Sequence, residues 1–95
     1  MKSAIRAALL GGLILAAGVA VAGVTKATFS NVVFSDGTVG TIYAGSKITN
    51  KAVNTECDYQ DANGQYLGMF MSSAFASTDP DALQSFCEAH FAERK

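Results

Sequence analysis

The 95-residue chain has no tryptophan, one proline, one histidine and two cysteines, and no excess of basic residues. Each scarcity removes a class of function. A lone histidine leaves no second imidazole for a zinc site or a catalytic pair. Seven lysines and arginines against eight aspartates and glutamates form no basic stripe, so nucleic acid is not an expected partner. Gly37, Gly40 and Gly45 are followed neither by Gly-Lys-Ser/Thr nor by a helix, which excludes a phosphate loop.

What is present begins with the amino terminus. Lys2 and Arg6 make a short positive head, and Ala7 to Ala22 is then uncharged and apolar, closing on Ala20-Val21-Ala22. This is the three-part pattern of a secretory signal peptide, with cleavage expected after Ala22. The competing reading is an uncleaved membrane anchor. The uncharged run from 7 to 24 has 18 residues, four of them glycine, with no positive cluster after it. That barely reaches the length needed to span a bilayer. No cysteine ends the run, which disfavours a lipid anchor. The expected organisation is therefore a leader over 1–22 and a single small domain over 23–95.

Removing the leader takes Lys2 and Arg6 with it. Five basic and eight acidic residues remain, a net charge of −3. A 73-residue domain buries only about 60% of its unfolded surface, so its core is marginal and a covalent staple helps. Cys57 and Cys87 are the only cysteines, and both lie downstream of the export signal. In an oxidising compartment such a pair is expected to form a disulfide.

Along the domain, Val24–Phe34 is rich in β-branched and aromatic residues and reads as a strand, with a turn at Ser35-Asp36-Gly37 and a second strand over Thr38–Tyr43. Ala44-Gly45-Ser46-Lys47 reads as a break. Ala52–Gln60 alternates strictly: Val53, Thr55, Cys57 and Tyr59 fall on one face and Asn54, Glu56, Asp58 and Gln60 on the other. Asn63-Gly64 is the strongest hairpin signal, and Gln65–Phe75 resumes as a strand. Thr78 is the expected helix cap, with Pro80 in the first turn, Asp79 and Asp81 at the favourable end of the helix dipole, and Arg94-Lys95 at the other. Leu83, Phe86, Cys87, His90 and Phe91 then form one helical stripe. The expected fold is α+β: an antiparallel sheet of about four strands, as two hairpins, with one C-terminal helix on one face.

Candidate chemistry is sparse. Cys87 and His90 share a helical face, but a zinc site needs two further ligands and a nucleophile needs a free thiol. Export plus a second cysteine favours a disulfide beside a rim histidine instead. "DYQDANGQ" brings acid, Asn and Gly together, yet with Gly64 in the glycine position of a calcium loop, Tyr59 and Phe70 occupy its first and closing ligand positions. No catalytic residue, metal or cofactor is expected. The aromatics are more suggestive: Tyr43, Tyr59, Tyr66 and Phe70, with Phe75, are many for so small a sheet. They form a candidate binding surface if they face outward, and a core if they face inward. The reading is a small exported non-catalytic protein, periplasmic or secreted, that binds an unidentified protein or small ligand of the cell envelope. The alternative is an inner-membrane-anchored accessory subunit held through residues 7–24.

Overall fold

The structure, a computed structural model, describes residues 23–95. The leader expected over 1–22 lies outside the described residues. Four strands, β1 (Gly23–Val33), β2 (Val39–Ile48), β3 (Val53–Asp61) and β4 (Tyr66–Ser72), form one antiparallel sheet in chain order. A helix, α1 (Pro80–Ala89), and a short 3-10 turn (Phe91–Glu93) follow and cover one face. This is the expected α+β sheet-and-helix arrangement, joined as three successive hairpins.

The turns follow from local chemistry. Asp36 Oδ1 accepts from the Thr38 amide at 2.9 Å, and Asp61 Oδ1 accepts from the amides of Asn63 and Gln65, each at 2.9 Å. Gly64 takes φ +82°, as the Asn-Gly signal requires. The β2–β3 turn lies later than the sequence suggested. β2 runs through Ala44–Lys47, because Ala44 and Ser46 point inward where little room is left, while Thr49 closes the turn by accepting from the amides of Lys51 and Ala52. β4 ends at Ser72, whose hydroxyl accepts from the Ala74 amide, rather than continuing to Phe75.

The helix starts one residue later than expected. Asp79, not Thr78, is the N-cap: its Oδ1 accepts from the Asp81 amide at 3.1 Å, with Pro80 at the first helical position. Arg94 and Lys95 do not complement the helix dipole either, since α1 ends at Ala89 and its last turn has no basic residue. The chain instead returns to β4. Lys95 exchanges backbone hydrogen bonds with Met69, at 3.0 and 2.8 Å, and Arg94 Nε donates to the Leu67 carbonyl at 2.7 Å. Gly68 at φ +114° makes this approach possible, since a Cβ there would meet the Lys95 carbonyl at 2.8 Å.

The core lies between α1 and the inward face of β2 and β3. Ile42, Thr55, Cys57, Tyr59, Leu83 and Cys87 are all completely buried. Cys57 and Cys87 are joined, with Cα atoms 5.7 Å apart. Phe34 stacks on Phe91 at 4.3 Å, and Tyr59 meets Phe91 edge-on at 5.1 Å. The buried hydroxyls of Ser46 and Thr55 are satisfied in series: the Ser77 amide donates to Ser46 Oγ, Ser46 to Thr55 Oγ1, and Thr55 to the Phe75 carbonyl. That chain fixes the loop leading into the helix.

The disulfide closes a separation of 30 residues, for which the chain-entropy contribution is about 3–4 kcal/mol. Cys57→Ala and Cys87→Ala are each expected to lower the urea-unfolding free energy by an amount of that order, and the double variant by little more. Additive losses would mean that the two sulfurs act separately.

Candidate functional site

The helix covers one face of the sheet and leaves the other open. On that open face the registers set side chains in rows across the strands. One row runs Lys26, Gly45, Glu56, Met71; the next runs Thr28, Tyr43, Asp58, Met69; a third runs Thr41, Gln60, Tyr66. Tyr43, Tyr66 and Met71 are 44%, 55% and 55% exposed, although nothing about strand formation requires large apolar groups there.

The face has relief because Gly45 has no side chain: a Cβ there would meet nothing within 4 Å. Lys26, Tyr43, Gly45, Glu56 and Asp58 surround a shallow depression of about 310 Å³. Glu56 and Asp58 are two residues apart on one strand, so both carboxylates point to this face. The Glu56 carboxyl is raised above its ordinary value, chiefly by a hydrogen bond with Asp58, then by partial burial and by the Asp58 charge. Tyr66 donates its phenolic proton to Asp58 Oδ1 at 3.3 Å. Lys26, across Gly45, forms no ion pair among the described residues. Two acids thus sit side by side, in ion-pair contact with no lysine or arginine among the described residues, flanked by two phenol rings.

The four aromatics named from the sequence divide between the faces. Tyr43 and Tyr66 stand on the open face. Tyr59 is completely buried on the covered face and donates to the Cys87 carbonyl at 2.6 Å. Phe70 also faces inward, stacked on His90 at 4.4 Å. Phe75 stacks on Phe86 at 4.1 Å in the same cluster. His90 is half-buried at the rim, its Nδ1 2.8 Å from Glu93 Oε2. Cys87 is spent in the disulfide, so it offers His90 no thiol.

The alternation of β3 puts Glu56 and Asp58 on one face, but not the depression beside Gly45 that they share with Lys26 and Tyr43. Asp61, three residues after Asp58, has a different role: it caps the turn while Asp58 faces the depression. Among the described residues, no helix is long and apolar enough to cross a membrane. No protein-family model, curated protein or solved structure matches the chain.

Burial pushes the Tyr59 phenol up to about 12, opposed by the Arg94 charge. Between the ordinary tyrosine value and that one, the unfolded chain has lost the proton while the folded one keeps it. Stability is therefore complete below about pH 10 and falls as pH rises toward 12, by roughly 1 kcal/mol per unit. Urea titrations at pH 8 and 11 are expected to show this loss in the native sequence and a smaller one in Tyr59→Phe. That variant should itself be less stable at pH 8 by about 1–2 kcal/mol, for the lost hydrogen bond to Cys87.

Proposed function

We propose that this protein is a small exported, non-catalytic binding module that presents its open sheet face to a protein of the cell envelope. The observation that carries this reading is the placement of Glu56, Asp58, Tyr43 and Tyr66 around the Gly45 depression. Adjacent carboxylates in no ion pair among the described residues oppose folding, and exposed aromatic rings contribute little to a monomer. A lysine or arginine side chain of a partner resolves both: it neutralises the pair and lies against phenol faces. The disulfide supports a periplasmic or secreted location, since such bonds persist where the surroundings are oxidising.

The site of expected cleavage also fits the fold. Gly23 and Val24 are paired with Ile48 and Lys47 in β1, so a chain that begins at Gly23 keeps every described pairing of the sheet. The same pairing weakens the anchor alternative. With Gly23 and Val24 held in the sheet, the uncharged run left for a membrane is 7–22, sixteen residues rather than eighteen, below the usual spanning length of about 17–25.

Amino-terminal sequencing of the exported protein is expected to begin at Gly23; a start at Met1 in the membrane fraction would favour the anchored reading. For the binding face, the oxidised protein immobilised on resin is expected to retain an envelope protein that Tyr43→Ala and Glu56→Gln each release. Tyr43→Ala should keep the native urea midpoint, because its side chain stays out of the core, and Glu56→Gln should keep or raise it, because it relieves the Asp58 contact. Retention unchanged by both substitutions would remove the open face from the function.

A further inference from the structure

The two edges of the sheet are unlike. At β4 the chain's own end occupies the edge, through the Lys95–Met69 backbone pair and the Arg94 bond to Leu67. At β1 no described residue pairs with the outer edge, and β1 is the longest strand in the sheet. From Gly23 to Phe29 it pairs regularly with β2, and a bulge at Ser30-Asn31, with Asn31 at φ +57°, ends that regular run. A long regular edge carries a row of unpaired N–H and C=O groups, which native sheets usually blunt with proline, bulges or inward charges. Within Gly23–Phe29 there is no proline, and the one charge, Lys26, points to the open face.

The side chains along that edge are also unfinished. Thr25, Ala27 and Phe29 face the covered side but are only half-buried, because α1 lies over β2 and β3. A further strand would pair the edge and extend the apolar face beside Phe29.

We propose that β1 pairs with β1 of a second copy of this chain, antiparallel about a two-fold axis at Ala27, to make a continuous eight-stranded sheet. Closure and charge select this occupant. Among the described residues each copy has one edge with no pairing at all, so a two-fold pairing consumes both and leaves only the β4 edges, which Arg94 and Lys95 already occupy at Leu67 and Met69. Centred on Ala27, the strand is complementary to itself. Thr25 falls opposite the partner's Phe29 on the covered face, and Lys26 opposite the partner's Thr28 on the open face. An axis at Lys26, one residue away, would set two ammonium groups directly against each other, which is unfavourable. The dimer carries two copies of the open face side by side. It uses the edge rather than that face, so it stands independently of the ligand proposed above.

Sedimentation of the oxidised protein from roughly 1 µM to 1 mM is expected to show a monomer–dimer equilibrium. Thr28→Lys places like charges across the axis twice and is expected to weaken the dimer about five- to tenfold, whereas Thr28→Glu pairs with Lys26 of the second copy and tightens it to a similar degree. Both side chains stand on the solvated face of the monomer, so the urea midpoint at low concentration checks that folding is retained. Ala27→Cys is expected to form an intermolecular disulfide on mild oxidation, because the two Cβ atoms lie opposite each other. A protein that stays monomeric throughout the range overturns the proposal. So does a dimer equally affected by Thr28→Lys and Thr28→Glu, or one abolished by Tyr43→Ala.

Discussion

Cys87 is fixed twice, through its sulfur to Cys57 and through its carbonyl to the Tyr59 hydroxyl. Both partners are on the same face of β3, two residues apart, so together they determine which turn of α1 touches the sheet. The rest of the packing follows from that seat. Leu83, one turn before Cys87, and Phe91, one turn after, are both buried, and Phe91 closes the aromatic cluster with Phe34 and Tyr59. A domain of this size has little apolar area with which to select among helix placements, so a covalent bond and one buried hydrogen bond carry much of that choice.

Confining the helix to one side leaves the other face of the sheet open. The covered face is apolar or fully hydrogen-bonded, down to the Ser77–Ser46–Thr55–Phe75 series. The open face keeps an acidic pair in contact, raises the Glu56 carboxyl and exposes tyrosine and methionine. The expense of that arrangement is tolerable because the staple is on the opposite side of the same strand. β3 is thus the shared element: its inward residues hold the fold, and its outward residues form the proposed binding surface.

Much of this was legible in the sequence, and the failures have definite causes. The alternation of β3 placed Thr55, Cys57 and Tyr59 inward, and the helical stripe from Leu83 to Phe91 was correct in spacing. The aromatic surface was not resolvable in the same way. Tyr66 and Phe70 are four residues apart and would share a face in a regular strand. The β4 bulge, where Tyr59 pairs with Gly68 but Gln60 with Tyr66, inserts Leu67 and reverses the parity between them. Tyr43 and Tyr59 are separated by register, since Tyr43 opposes Asp58 while Tyr59 opposes Ile42. The return of Arg94 and Lys95 to β4 is a contact across 26 positions at Met69, and helix-end rules assign those charges a local role instead.

The dependence of the whole arrangement on one covalent link makes thiol counting the most direct test. The protein purified without reductant, unfolded in denaturant and treated with a thiol-specific reagent, is expected to show no reactive sulfur, and two after reduction. Two reactive thiols before reduction would contradict the account at its base. The seat of α1, the burial of Tyr59 and the exposure of the opposite sheet face would then need another cause.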